Sequence, residues 1–331
     1  MLYRNLSNTD LKVSAITFGA WAIGGWMWGG ANRNDALDAL SAAVDIGMTS
    51  IDTAAVYGFG QSEEIIGKAI KGKRDKVQIF TKYGLRWDGT KKGQFYFNTM
   101  SNEGKPLDIY KYSSKESVIK ECEISLKNLG TDYIDLYQIH WADPTTPISE
   151  TFEAIEILTR QGKIRYAGVC NYDATLVEEA LKSFPIVTNQ VPYSMVNRAI
   201  ENELVPFCLK NNVGIMAYSP LQRGILTGKM QKDQHFNSGD TRPTTVYYRE
   251  PNFSRILKFI DQLRPIAENR GVTVGQLVIN WTIQQPGICT ALVGARNREQ
   301  VLDNAKAIDF MLTSADITEI NTKLKNLIID K

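Results

Sequence analysis

The chain has 331 residues, 43% of them hydrophobic, with 38 Lys and Arg against 36 Asp and Glu for a net charge of +2. So even a balance gives no electrostatic reason to expect nucleic acid or a membrane as partner, and it points to a small molecule. Four widely spaced cysteines (Cys122, Cys170, Cys208 and Cys289) argue against a disulfide scaffold, and two histidines (His140 and His235) leave a histidine-based metal site unsupported.

In chain order, MLYRNLSNTDLKV lacks the basic-then-apolar layout of a secretory signal, and the longest apolar stretch, FGAWAIGGWMWGG, is too short and Gly-rich to span a bilayer. A soluble cytoplasmic protein is expected. The SNTD turn between two short alternating runs predicts an N-terminal β-hairpin. Eight β-rich runs follow: residues 15–19, 49–54, 77–82, 134–140, 164–171, 186–190, 213–219 and 289–295. Between them lie amphipathic segments such as NDALDALSAAVDIG, SKESVIKECEISLKNLG and ISETFEAIEILTRQG, with apolar residues three and four apart. Eight β-then-α units without a disordered linker predict a single (β/α)8 TIM barrel domain over residues 1–331, the hairpin plugging its bottom. Residues 84–112 and 220–252 are too long for simple connections, leave C-terminal strand ends, and are candidate lids.

The strand ends carry the chemistry. Asp52 ends the second run, Lys82 the third, His140 the fourth, Asn171 the fifth and Gln190 the sixth. Tyr218 lies near the end of the seventh, Gly294 and Arg296 belong to the end of the eighth, and Tyr57 sits in the loop after the second. Singly, an acid at a strand end is a helix cap, a lysine snorkels and a histidine packs; in a barrel, all of them converge on one face. A phenol is a poor acid or base near neutrality, and a neighbouring ammonium lowers its pKa. Lys82 supplies that ammonium, Asp52 keeps it charged, and His140 donates to a carbonyl oxygen. None of the four supplies electrons, so a carbonyl reduction here needs a hydride donor, and nicotinamide is the expected one. The GFGQSEE stretch (58–64) is an incomplete dinucleotide fingerprint; Ser62 with Glu63 and Glu64 reads better as a helix N-cap with acids in the first turn.

The motifs GMTSIDTAAVYGFGQSEEIIGKAI, IFTKYG, LGTDYIDLYQIHW, GKIRYAGVCNY, VTNQVPYSM and AYSPLQRGILTGK, in this order, resemble the aldo-keto reductases. The chain is most similar to bacterial members of the branch that includes the potassium-channel β subunits. The resemblance implies a (β/α)8 barrel holding extended NADPH without a Rossmann motif, and a catalytic tetrad of Asp52, Tyr57, Lys82 and His140. Tyr57 would be general acid in reduction and general base in the reverse direction. It further implies Asn171 and Gln190 on the nicotinamide carboxamide, Tyr218 stacked on the ring, and the backbone from Ser219 through Pro220 and Leu221 to Gly224 on the pyrophosphate, with Lys229 close by. Gly294, Arg296, Gln300 and Asn304 would form the adenosine end, Arg296 on the 2′-phosphate. Barrels often bind phosphate after strands seven and eight, and a guanidinium suits that geometry.

Where the family usually has GVSN, this chain has Cys170 before Asn171; a thiol bonds more weakly than a hydroxyl, and a buried, inert Cys170 is expected. Trp21, Trp26, Trp28, Trp87 and Trp141 are candidate walls for an apolar or sugar-like carbonyl substrate. The leading reading is an NADPH-dependent oxidoreductase reducing an aldehyde or ketone to an alcohol. Two alternatives are an NADPH-binding regulatory module with little turnover, and a Lys82 Schiff-base lyase, against which the complete tetrad argues.

Overall fold

A computed structural model describes residues 1–330. β1 (Tyr3–Asn5) and β2 (Lys12–Ser14) form the expected antiparallel hairpin. Its Leu6, Leu11 and Val13 pack against Phe80, Leu136, Met216 and Cys289 of the barrel interior. Arg4 donates to the Ile288 carbonyl at 2.9 Å and Ser7 to that of Val187 at 2.7 Å. Both carbonyls lie at strand beginnings, so the hairpin closes the N-terminal end of the barrel.

The barrel opens with β3 (Ile16–Gly19), β4 (Ser50–Asp52) and β5 (Gln78–Tyr83). A separate three-stranded antiparallel sheet is then inserted: β6 (Leu85–Arg86), β7 (Gln94–Met100) and β8 (Pro106–Lys111), in the order β6-β8-β7. The barrel resumes with β9 (Ile134–Ile139), β10 (Ile164–Cys170), β11 (Ile186–Pro192), β12 (Gly214–Tyr218) and β13 (Ile288–Gly294). These eight strands pair in parallel, each with its neighbours, and β13 closes on β3. The (β/α)8 expectation holds, and each of the eight β-rich runs is a barrel strand. The strands read as near-continuous apolar runs because both faces are covered, one by the interior and one by helices.

The helices are α1 (Arg33–Asp45), α2 (Gln61–Ala69), α3 (Lys115–Leu129), α4 (Ile148–Arg160), α5 (Ala174–Ser183), α6 (Leu204–Lys210), α7 (Asn252–Asn269), α8 (Val274–Ile283), α9 (Arg298–Ala305) and α10 (Ser314–Lys325). Side-chain caps start several of them, including Asn32, Ser114, Asp173 and Asn297, each accepting from a backbone N–H of the first turn. None of the described helices is long and apolar enough to cross a membrane.

α2 departs from the sequence expectation. Its N-cap is Gly60, in left-handed geometry, and Ser62 lies one residue inside the helix. Ser62 is buried and bonded to Thr53 (2.8 Å) and the Ala20 carbonyl (3.1 Å), while Glu63 is buried and accepts from Thr81 and Asn128. Those side chains tie α2 to the strands instead of capping it. Gly58 is required sterically: its φ is 64°, and a Cβ there would stand 2.3 Å from the Gly24 carbonyl oxygen.

The two long connections cover the C-terminal end. In the first, Trp26 donates to Thr99 at 3.0 Å, and Asn102 donates to the Gly24 carbonyl at 2.8 Å. The second (220–252) runs through short helical turns and lies against the β3–α1 connection, where Thr241 N–H reaches the Met27 carbonyl and Asp240 pairs with Trp28. Replacing fully buried Leu6 by Ala removes one of the hairpin's contacts with the barrel interior. The expected loss is about 2–5 kcal/mol of unfolding free energy, read from urea denaturation; an unchanged midpoint would show that the plug bears no stability.

Candidate active site

Parallel register puts Asp52 opposite Phe80, and Lys82 lies one pleat beyond Phe80 on the same inward face. The Lys82 ammonium donates to Asp52 Oδ1 at 2.6 Å, to the Thr53 carbonyl at 2.8 Å and to the Tyr57 hydroxyl at 3.4 Å. Lys82 is 1% exposed and Asp52 2%. The second Asp52 oxygen accepts from Gln190 Nε2 at 2.8 Å. The His140 ring meets Tyr57 edge-on, with centroids 5.8 Å apart. All four tetrad candidates thus meet.

Their ionisation is set by burial against charge. Burial alone would lower the Lys82 pKa, but the Asp52 carboxylate reverses this and holds it above its ordinary value, assisted by Tyr57 and Cys170. Burial raises the Asp52 carboxyl, while the Lys82 ammonium and the Gln190 amide oppose the rise. The tyrosine corrects the sequence argument. Lys82 draws the Tyr57 phenol down as expected, but burial is the larger effect, Asp52 adds to it, and the pKa is pushed up to about 12. Burial, then Lys82, holds His140 well below its ordinary value, so the imidazole is neutral. Cys170 is buried, and burial raises its thiol pKa, consistent with an inert side chain.

Asp52, Tyr57 and His140 line one end of a cavity of about 660 Å³; Arg296, Gln300 and Asn304 line its other end. Every residue expected at the cofactor lines this cavity: Asn171, Gln190, Tyr218, Ser219, Pro220, Leu221, Gly224, Lys229, Gly294, Arg296, Gln300 and Asn304. Several already have partners. Asn171 donates to the His140 carbonyl at 3.0 Å and accepts from the Tyr218 hydroxyl at 2.9 Å. Lys229 pairs with Asp303 at 3.2 Å, Gln300 accepts from the Arg296 backbone N–H at 2.9 Å, and Asn304 donates to the Gly294 carbonyl at 3.4 Å. Arg296 is exposed, and its guanidinium has no ion-pair partner among the described residues. Between the two ends, Ser219, Gln222, Arg223 and Gly224 all have positive φ, a strained stretch of the kind that collects at binding sites.

A model of the Aldo/keto reductase family matches residues 15–325. The chain belongs to that family. It is 39% identical to the aldo-keto reductase YhdN of Bacillus subtilis (100% of this chain, 96% of the relative). It is 36% identical to an NADH-specific methylglyoxal reductase of Escherichia coli (95% of each). A probable voltage-gated potassium channel subunit beta of Arabidopsis thaliana is 32% identical (93% and 92%), in keeping with the expected branch. Among solved structures, the glycerol dehydrogenase AKR11B4 of Gluconobacter oxydans superposes with a TM-score of 0.87 at 34% identity, covering 99% of this chain and 97% of its own.

This aldo/keto reductase walls the Tyr57 end of its cavity with aromatics. Trp21 stacks on Tyr57 with centroids 6.0 Å apart, Trp26 stacks on Phe97, and Trp141 packs against Tyr96. Trp21, Trp26, Trp28 and Trp141 all line the cavity. Trp87 does not: its ring packs edge-on against Phe59, with centroids 5.5 Å apart. Tyr96 and Phe97, from the inserted sheet, were missed as wall residues, as were Arg223 and Arg242 from the second cover and Thr273, Gly275 and Gln276 at the start of α8. The alternation in QFYFNTM and PLDIYK around the Gly104 turn was a readable hairpin signal for the first two. Lys82→Met strands Asp52 as an uncompensated buried charge, and the expected cost is about 3–5 kcal/mol in denaturant unfolding. The Lys82→Met/Asp52→Leu double variant should recover part of it; no recovery would mean that the pair is not the reason.

Proposed function

We propose that the chain is a single-domain NADPH-dependent oxidoreductase that reduces an aldehyde or ketone to an alcohol, with Tyr57 as general acid. One observation carries the reading. A buried ammonium joins a carboxylate and a phenol beside a neutral imidazole, at one end of a cavity whose other end holds an unpaired guanidinium. The donor set fits a nicotinamide dinucleotide: amides from Asn171 and Gln190, the aromatic ring of Tyr218, strained backbone from Ser219 to Gly224, and Arg296 for a 2′-phosphate. When bound, that cofactor supplies the hydride.

The chain's own residues do the rest. His140 donates a hydrogen bond to the carbonyl oxygen, and its neutrality lets it do so without delivering a full charge. Tyr57 gives its proton to the same oxygen as negative charge develops there. Lys82, 3.4 Å from the phenol oxygen, stabilises the phenolate left behind, and Asp52 keeps Lys82 protonated. A phenol at about 12 is protonated at neutral pH, which matches reduction; oxidation needs the phenolate, which is scarce there. Family membership and the methylglyoxal reductase among its relatives support the carbonyl chemistry. That relative is NADH-specific, so the preference for NADPH rests on Arg296.

Tyr57→Phe should lower carbonyl-dependent NADPH oxidation roughly 100- to 10,000-fold while the cofactor dissociation constant, read by fluorescence, stays put. Retained turnover removes Tyr57 from its role. Tight NADPH binding by the wild-type chain with no turnover across aldehydes, ketones and sugars would favour the regulatory module. Arg296→Ala should weaken NADPH about 10- to 100-fold and NADH little, by losing charge-assisted bonds to the phosphate.

The pH profile follows from the two pKa directions. Reduction needs His140 neutral, which holds above its depressed pKa, and Tyr57 protonated, which holds below about 12. Between pH 6.5 and 10 neither group should break the kcat/KM profile for reduction, whereas oxidation should climb with pH as phenolate accumulates. An alkaline limb of reduction centred well below 10 would contradict the assignment.

A further inference from the structure

Most charged side chains along the cavity are neutralised on the spot. Asp52 holds Lys82, Asp303 holds Lys229, and Asp240 holds Arg242 at 2.6 Å. Two cations are left without a direct ion pair among the described residues, although Asp240 also acts on the second of them at longer range. Arg296 stands at the adenosine end. The other is Arg223, on the carbonyl side.

Arg223 is held in place without being satisfied. Its guanidinium lies 4.9 Å from the Trp21 ring and 5.0 Å from the Trp28 ring. Nη2 donates to the Thr241 hydroxyl at 2.9 Å and the Met27 carbonyl at 3.3 Å. Among the described residues Nε is enclosed with no partner, and Nη1, which is not enclosed, takes part in none of the hydrogen bonds. Trp21 in turn stacks on Tyr57, so one indole touches both the proposed proton donor and this cation. A guanidinium clamped between two rings and fixed through Nη2 leaves Nη1 as an unpartnered, charge-assisted donor, which suits an oxygen of a carboxylate or phosphate. Cation–π contact and the nearby Asp240 carboxylate offset part of the cost of burying the charge, which still leaves Arg223 below its ordinary pKa, and an anion would offset more of it.

Building on the function proposed above, we propose that Arg223 recognises an anionic group of the carbonyl substrate, so that the preferred substrates are aldehydes or ketones carrying a carboxylate or phosphate a few bonds from the carbonyl. The neighbouring Ser219–Gly224 backbone is the stretch expected at the cofactor pyrophosphate. The competing source of the same anionic chemistry is therefore the cofactor itself, and the test separates the two.

The experiment compares 4-oxobutanoate with butanal, at saturating NADPH, in the wild-type chain, Arg223→Gln and Arg223→Lys. NADPH affinity is measured in parallel. Calorimetric titration of the NADP-loaded protein with butanoate and with butan-1-ol gives a readout independent of turnover. The expected result is a fall of roughly 10- to 100-fold in the ratio of kcat/KM for 4-oxobutanoate over butanal in Arg223→Gln, a smaller fall in Arg223→Lys, and NADPH affinity unchanged. Butanoate should bind the wild-type protein and not Arg223→Gln. An unchanged ratio, or an equal loss for both aldehydes, would make Arg223 a clamp that holds residues 240–248 onto the tryptophans, and would overturn the proposal. So would a loss confined to NADPH affinity, which would assign Arg223 to the cofactor's phosphates. If the wild-type chain reduces neither aldehyde, the reductase reading fails for these substrates, and the titration alone decides: butanoate binding that depends on Arg223 sustains the anion site, and its absence ends it.

Discussion

The ion pair between Lys82 and Asp52 is the constraint around which the site is arranged. Two opposite charges with almost no solvent access are costly to bury unless their remaining hydrogen-bonding capacity is used, and here it is. Lys82 spends its donors on Asp52, the Thr53 carbonyl and the Tyr57 hydroxyl, while Asp52 takes a further bond from Gln190. The pair fixes what lies beside it. The ammonium is the one influence that draws the Tyr57 phenol down against burial, and the same charge depresses His140. One buried cation thereby helps keep the imidazole neutral and offsets part of the cost that burial imposes on a Tyr57 phenolate.

The barrel makes that pair possible because its interior changes character along each strand. Phe80, Leu136 and Met216 fill the lower interior against the hairpin. One pleat toward the C-terminal end, the inward positions become Lys82, Gln138 and Tyr218. The step of two residues keeps both sets on one face, so an apolar floor and a polar site are stacked inside the same eight strands. Thr17 and Thr290, bonded to each other at 2.8 Å, are interior polar groups satisfied within the barrel.

That alternation is why much of the site was legible from sequence. Apolar runs located all eight strands, and polar residues at the ends of the second to the sixth pointed to the face where Asp52, Lys82 and His140 meet. Position alone did not reveal the balance of forces at Tyr57. A lysine thirty residues after Asp52 can be read in the chain, but the burial that outweighs it depends on rings brought from Trp21 and His140. Ser62 misled because its serine-and-acid pattern fits a cap, whereas the helix starts at Gly60 and the serine is needed inward against Thr53 and Ala20. The Arg223 backbone falls in the Ser219–Gly224 stretch expected at the cofactor, but nothing local marked where its side chain goes. Its place between Trp21 and Trp28 follows from a run of left-handed backbone at Gln222, Arg223 and Gly224, two of them residues that ordinarily avoid it.

The tetrad candidates and much of the cavity wall consequently sit on different parts of the chain. The reactive groups and the amides facing them form two hydrogen-bonded strings on rigid strand ends: Lys82 to Asp52 to Gln190, and His140 to Asn171 to Tyr218. Asn171 can serve both its neighbours because asparagine tolerates the left-handed conformation it adopts, with φ of 60°. A group fixed at both ends in this way needs little reorganisation as charge moves, and such preorganisation is where electrostatic catalysis gains most. Much of the remaining cavity wall comes from the inserted β6–β8 sheet and the 220–252 cover, which touch the β3–α1 connection through Thr99, Asn102, Thr241 and Asp240. Substitution in those covers can redraw the cavity without disturbing either string, so the tetrad persists while the molecules presented to it change.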